Sequence, residues 1–303
     1  MTGMRPRDFI QTARPAQWLK NAFVLAPVVF ARSLDDPDAL WRAVVAAALF
    51  SLVASGVYFL NDAGDAPRDR QHPTNRHRPI AAGRIGRRTG AAVGLLLMAA
   101  GIAIAGPVAI GLAATLGAYS GLNLLYSLYL KRFALVDIVV ISVGFVLRAV
   151  AGALAIDVMI SVWLLVCTFF VAMLIAAGKR RAELVYAGDG PSATRPSLDQ
   201  SSVRFYDTLL SGAAGATLVC YALYTVSPEA ASNFGGKGLI LTMPFVVYGV
   251  WHYVQMIHSD ESVENPTTAV MRSRGVQVAV LGWGALVVAI IYGFGADLGG
   301  FIE

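Results

Sequence analysis

LWRAVVAAALFSLVASGVYFLNDAGDAPRD, residues 40–69, joins an apolar run to a dense polar one. From Leu40 to Leu60 the single charged side chain is Arg42, and a run of about 20 apolar residues is what an α-helix needs to cross hydrocarbon. At Asn61 the composition turns over. Asn61, Asp65 and Asp69 recur every fourth residue and Asp62 lies three before Asp65, so on a continuing helix all four share one face. Pro67 is expected to kink or end that helix and to leave Asp69 on an irregular turn.

Working outward, runs of similar apolarity recur at 18–30, 89–105, 108–130, 134–156, 159–177, 208–226, 239–257 and 276–294. With 40–60 they predict an all-α, polytopic membrane protein of about nine transmembrane helices, forming a single integral membrane domain over 1–303. The first run is the shortest and holds Pro27, so it is expected to be tilted or broken. Composition agrees: 56% of the 303 residues are hydrophobic and 14% charged, with a mean hydropathy of +0.62, against roughly a quarter charged in soluble domains. Pro107 and Asp157 mark tight turns. Gly90 with Gly94, and Gly117 with Gly121, have the small-residue spacing that lets membrane helices approach closely, and packing is the expected role of both pairs.

Lys and Arg favour the cytoplasmic side. With the N-terminus inside, that side collects Arg5, Arg7, Arg14, Lys20, the arginines of 68–88, Lys131, Arg132, Lys179, Arg180, Arg181, Arg195, Arg204, Arg272 and Arg274, and the other side keeps Arg32, Arg42 and Lys237. The expected location is therefore the plasma membrane, multi-pass, with the polar chemistry and N-terminus cytoplasmic and the C-terminus outside. The net charge of +5 is explained by insertion, not by nucleic acid. No cleavable signal peptide is expected before the first run. Cys167 and Cys220 sit singly in apolar helices as packing residues. The segment 188–199, GDGPSATRPSLD, reads as a connector.

Three carboxylates at a helix C-terminus repel one another and face the negative end of the helix dipole, at about 0.3–1 kcal/mol each when exposed. A cation is expected there. Hard oxygen donors suit Mg²⁺, which takes one or two carboxylates and completes its shell with water and substrate phosphates, so Asn61, Asp62, Asp65 and Asp69 are the candidate metal ligands. The run Arg68 to Arg84 that follows, including Arg76 and Arg78, brings guanidinium groups suited to phosphate, while Arg84, Arg87 and Arg88 also read as anchors for the next span. Tyr126, Lys131 and Asp137 flank a short turn, with Asp137 at the favourable N-terminal end of a helix. Arg148 follows Asp137 by three helical turns and needs a partner or a water-filled cavity at mid-membrane; substrate contact and a structural ion pair are both open. Lys179 and Glu183 are an i, i+4 pair that also reads as a cation and a carboxylate for substrate, and Lys20 with Asn21 brings a cation and an amide to the mouth of the first run. No zinc motif, nucleophile elbow or phosphate-binding Walker loop is present.

The NDxxDxxxD pattern at 61–69, the DRxHPxxRxRPxxxG run at 69–83 and the Tyr126, Lys131, Asp137 trio resemble the UbiA superfamily of intramembrane prenyltransferases over nearly the whole chain. That resemblance implies nine helices around a central cavity with a cytoplasmic cap, and Mg²⁺ holding a diphosphate. Most members carry a second DxxxD where this sequence has Lys179 and Glu183. With RPAQWLKN at 14–21, the KRRAEL run at 179–184 resembles the branch that takes phosphoribosyl pyrophosphate as donor and a polyprenyl (decaprenyl) monophosphate as acceptor, in cell-wall arabinan synthesis. The resemblance then implies Asp62, Asp65, Asp69, Lys131 and Asp137 as catalytic residues. Lys20, Asn21, Arg68, Arg76, Arg78, Tyr126, Arg148, Lys179 and Glu183 become substrate-binding candidates. The competing expectations are a prenyltransferase with a prenyl diphosphate donor and an aromatic or glycerol-phosphate acceptor, and a transporter with charges along a pathway. Assembly as a homo-oligomer is left open.

Overall fold

A computed structural model describes residues 5–187, 202–234, 236–259 and 273–294, apart from the side chains of residues 132, 186, 187 and 294. The connector at 188–199, with Arg195, and also Arg272 lie outside the described residues. The helices are α1 (Pro6–Ala13), α2 (Ala26–Phe30), α3 (Pro37–Asp69), α4 (Arg87–Val108), α5 (Ile110–Leu128), α6 (Ala134–Ala155), α7 (Val162–Ala187), α8 (Val203–Thr225), α9 (Pro228–Phe234), α10 (Met243–Ser259) and α11 (Arg274–Ala289). Among the described residues there is no β-strand, as the all-α expectation required.

Among the described residues, seven helical stretches are long and apolar enough to cross a bilayer, within α3, α4, α6, α7, α8, α10 and α11 with their immediate extensions. The expected count of nine is not reached by that measure. The run at 110–128 is a helix of 19 residues whose Thr115, Tyr119, Ser120 and Asn123 dilute its apolarity. The run at 18–30 is broken as expected: a 3-10 helix over Pro15–Val24 is followed by the five-residue α2. Pro15 and Pro27 lack the N–H donors a regular α-helix would use.

The chain divides into two compact units. The first gathers the described residues up to Val28, Ser33–Arg132 and Leu147–Met159. Its core is α3 packed along α4 and α5, with Phe50, Val53, Leu112, Leu116 and Ala151 fully or almost fully buried. The approach of α3 to α4 is set by glycine: a Cβ on Gly56 would stand 2.6 Å from the Gly94 carbonyl, and one on Gly94 would stand 2.8 Å from the Gly56 carbonyl. The small-residue reading thus holds for Gly90 and Gly94, and Gly90 accommodates Ile80. It does not hold for Gly117 and Gly121, which have open space within 4 Å, because spacing alone does not supply a neighbour. The turn from α4 to α5 is the single extended residue Ala109, as Pro107 foretold, and Asp157 makes its turn in the left-handed region at φ 56°.

The second unit holds Val29–Arg32, Phe133–Val146 and the described residues from Ile160 on. Here α7 and α8 pack along each other and α10 packs on α8 and α11. One core joins Ile138, Leu174, Ala177, Tyr206, Leu210 and Ile257. Cys167 packs with Tyr221, Tyr224 and Phe234, and both cysteines are free thiols.

Candidate active site

The acidic face of α3 survives Pro67. The helix runs on to Asp69, although the proline cannot supply the N–H that the carbonyl of Ala63, four residues earlier, should receive. Arg87 replaces it: its Nε donates to the Ala63 oxygen at 3.0 Å. The expected irregular turn at Asp69 is therefore not formed, and Asp62, Asp65 and Asp69 project from one continuous helical face.

Each carboxylate meets a cation. Arg14 donates to Asp62 through Nη2. Arg78 Nη1 reaches two carboxylates at once, at 3.4 Å from Asp62 Oδ1 and 2.8 Å from Asp69 Oδ2. Lys131 Nζ lies 2.6 Å from Asp65 Oδ1, and the Ser127 hydroxyl donates to Asn61 Oδ1. Asp62 and Asp69 have side chains only 3% and 7% exposed, whereas Asp65 is 38% exposed. Desolvated carboxylates need such partners, since an unpaired buried charge costs several kcal/mol, about 3–5 when one member of a buried pair is removed.

The two arginines are held by braces from either side. Arg14 ends α1 in the left-handed conformation, φ 53°, and the residues around it are tied to α3: the Trp18 indole donates to Ser55 Oγ at 3.1 Å, and Ser55 in turn donates to the Ala13 carbonyl. Arg78 follows a short 3-10 turn, Asn75–His77. Its segment is fastened by Arg70 Nε on the Ala81 carbonyl and by Arg84, which donates to the His77 carbonyl and to Asp8 Oδ1 at 2.7 Å. The Arg84 guanidinium, helped by the Arg5 backbone N–H, holds the Asp8 carboxyl below the usual carboxylate range against the opposing effect of burial.

Arg148 and Asn21 form a second, apolar-walled network in the same unit. Arg148, 5% exposed, donates through Nε to Asn21 Oδ1 at 2.8 Å and through Nη2 to the Tyr119 hydroxyl at 3.3 Å. Its guanidinium lies over the rings of Phe50 and Tyr119, and Asn21 Nδ2 donates to Ser51 Oγ. Asn21 is 2% exposed. These contacts tie the broken 15–24 segment to α3, α5 and α6, which satisfies the requirement for a partner at Arg148.

In the second unit Asp137 is fully buried and pairs with Arg180 Nε. Arg180 Nη1 also reaches Glu183 Oε2 at 2.7 Å, and Lys179 Nζ lies 3.9 Å from Glu183 Oε1. Asp137 thus orients Arg180, and Arg180 orients Glu183. Beside them Asp207 Oδ1 receives Arg181 Nε at 2.5 Å and stands 3.1 Å from His258 Nε2.

Of the remaining candidates, Arg68 and Arg76 are exposed, Lys20 and Tyr126 half-buried, and Arg76 Nε donates to His77 Nε2 at 3.3 Å. Arg14 and Arg180 were not among the candidate site residues. The signal for Arg14 was its place at the RPAQWLKN motif; for Arg180 it was the i, i+3 spacing to Glu183, overshadowed by the i, i+4 spacing of Lys179.

Mg²⁺ fits this donor set in a particular way. Among the described residues no three Asp, Glu, His or Cys side chains gather into a closed cage. Asp62 and Asp69, however, both face one nitrogen of a cation, Arg78 Nη1, and Asp65 is accessible one turn away. That is the partial set of hard oxygen ligands a Mg²⁺ ion uses when substrate phosphates and water complete its octahedron.

The described helices thus carry an acidic helix end ringed with arginine and lysine, an arrangement of charge suited to an anionic ligand held with a cation. The UbiA prenyltransferase family model matches residues 22–273, and the chain belongs to that family. It is 35% identical over 297 residues to the decaprenyl-phosphate phosphoribosyltransferase of Mycolicibacterium smegmatis, covering 93% of this chain and 92% of that one. The protein of the same name from Corynebacterium glutamicum is 31% identical over 288 residues, covering 93% and 86%. In fold the chain is similar to a UbiA homolog from Archaeoglobus fulgidus bound to DMAPP and Mg²⁺, with a TM-score of 0.71 at 17% identity over 94% of this chain and 99% of that one.

Proposed function

We propose that this protein transfers the 5-phosphoribosyl group of phosphoribosyl pyrophosphate to a polyprenyl (decaprenyl) phosphate and releases pyrophosphate. The observation that carries the reading is the acidic face of α3, where three carboxylates stand against Arg14, Arg78 and Lys131. Likeness along most of the chain to relatives named decaprenyl-phosphate phosphoribosyltransferase supports the choice of donor and acceptor.

Asp62, Asp65 and Asp69, with Asn61, would hold Mg²⁺, which when bound supplies neutralisation of pyrophosphate charge. Arg14, Arg78 and Lys131 offer N–H donors to the leaving group as the bond from ribose C1 to its oxygen lengthens. That bond breaks with its electron pair going to pyrophosphate, and a phosphate oxygen of the lipid supplies the pair that forms the new C1–O bond. The acceptor is already an anion, so no strong base is needed. Lys20, Arg68, Arg76, Tyr126, Lys179 and Glu183 are assigned to the 5-phosphate, the ribose and the lipid phosphate. Asp137, acting through Arg180, and Arg148, acting through Asn21, are positioning residues.

Residues 1–303 would form one transferase domain in the plasma membrane, with the N-terminus and acidic face cytoplasmic and the C-terminus outside, on the asymmetry of Lys and Arg. The product would feed cell-wall arabinan synthesis. The test is incubation of purified protein with ribose-labelled phosphoribosyl pyrophosphate, decaprenyl phosphate and Mg²⁺. Labelled lipid and free pyrophosphate are expected, and Asp65→Ala lowers the rate by about 10²-fold or more. Absence of labelled lipid together with transfer from a prenyl diphosphate would overturn the reading.

A further inference from the structure

One guanidinium nitrogen of Arg78 sits between Asp62 and Asp69, at 3.4 and 2.8 Å. A divalent cation bridging the same two oxygens, Asp62 Oδ1 and Asp69 Oδ2, requires the same space, so those two modes of binding exclude each other. Arg78 is also the more accessible partner: its side chain is 34% exposed, against 3% and 7% for the carboxylates. Its backbone segment is tethered on both flanks by Arg70 and Arg84, so when the side chain turns away the segment loses one tether and loosens without leaving. We infer that Arg78 is an exchangeable counter-cation: Mg²⁺ displaces it from Asp62 and Asp69, and the freed guanidinium then takes the pyrophosphate that the ion brings.

This rests on the proposed use of pyrophosphate at the acidic face and adds an energetic consequence. Removing Arg78 from two carboxylates costs interaction energy that a doubly charged ion alone must overcome. When pyrophosphate is present the guanidinium recovers a bidentate anionic partner. Ion and pyrophosphate therefore bind with positive coupling, and by linkage the coupling is the same in either order of addition. Arg14 strengthens the effect, because it too donates to Asp62 Oδ1 and stays on the carboxylate when Arg78 leaves. The exchange also keeps Asp62 and Asp69 paired at every stage, which their burial demands.

The measurement is Mn²⁺ binding by electron paramagnetic resonance on the full-length protein in detergent, with and without inorganic pyrophosphate. Arg78→Gln is expected to bind Mn²⁺ alone about tenfold more tightly than wild type, and to lose most of the gain that pyrophosphate gives wild type. Arg88→Gln, an exposed charge removed from the same stretch, changes neither by more than about twofold. In wild type, amides 76–82 exchange hydrogen faster when Mn²⁺ is added alone and slower once pyrophosphate follows, a readout that does not depend on the variant folding. Equal or weaker Mn²⁺ binding by Arg78→Gln, or unchanged exchange at both additions, overturns the inference. If labelled lipid still forms in the transfer assay, the proposed function stands while the exchange falls; if Mn²⁺ binds no form of the protein, both fall.

Discussion

Arg87 and Ala63, 24 positions apart, are joined by a hydrogen bond of 3.0 Å from the arginine Nε to the backbone carbonyl, and that bond carries α3 through Pro67. Without it a buried carbonyl would stand unpaired in the turn that presents Asp62, Asp65 and Asp69. A residue that reads from sequence as a membrane anchor is therefore also part of the scaffold of the acidic face.

Arg87→Met should lower stability by about 1–2 kcal/mol, the usual result of leaving a buried acceptor without its donor. Pro67→Ala restores the missing N–H, so the same Arg87→Met change made in that background should cost only a few tenths of a kcal/mol. Thermal unfolding of the four forms in detergent closes the cycle. Equal costs in both backgrounds would show that Arg87 acts elsewhere.

The buried pair of Asp137 and Arg180 predicts a different pattern. Asp137→Leu leaves a guanidinium that is 2% exposed without its principal anion, at about 3–5 kcal/mol. Arg180→Met likewise takes from the buried Asp137 the cation it pairs with. The double variant, with both charges gone and apolar bulk in their place, should be more stable than either single one. Were the double variant as unstable as the sum of the singles, shape and not charge would be what the pair supplies.

Much of this was readable in the sequence, and the limits have physical causes. Apolar runs gave the helices because hydrocarbon rewards length and composition, which are local. The shared face of Asp62, Asp65 and Asp69 followed from helical periodicity. What failed needed a partner distant in the chain. Pro67 reads as a kink or an end of α3, but Arg87 supplies the donor it lacks and the helix runs on to Asp69. Gly117 and Gly121 have the same spacing as Gly90 and Gly94 yet meet nothing within 4 Å, because the neighbour is chosen by the fold and not by the glycine. The counter-cation Arg14 sits 48 positions from Asp62, and no local pattern links them.

Gly152 provides a test of one such distant contact. A Cβ there would lie 1.9 Å from the Val24 carbonyl oxygen, backbone against backbone, so no rotamer can relieve it. Gly152→Ala should cost about 1–3 kcal/mol by overpacking and should disturb the 15–24 segment that places Asn21 against Arg148. Gly117→Ala, made into open space on a helix, should be neutral or stabilising by up to about 1 kcal/mol. Paired melting curves decide the matter, and a Gly152→Ala protein as stable as wild type would show that this helix contact yields freely.

Asp8 and Arg84 make stability depend on pH at the acid end. The Arg84 guanidinium, bonded to Asp8, lowers the Asp8 pKa below its ordinary 3.8, so the folded protein holds the charged carboxylate more firmly than the unfolded chain does. A group depressed in this way contributes in full above the unfolded value, near 3.9, and loses its contribution as the pH falls through the lower folded value. The gap in melting temperature between wild type and Asp8→Asn should therefore stay constant from neutral pH down to about pH 5 and narrow below about pH 4. Arg84→Gln removes the cause of the shift, so adding Asp8→Asn to it should give a much smaller gap at neutral pH. A gap that closed near neutral pH would assign the dependence to a histidine instead, and one that persisted unchanged at the lowest pH would mean that Asp8 contributes by shape and not by charge.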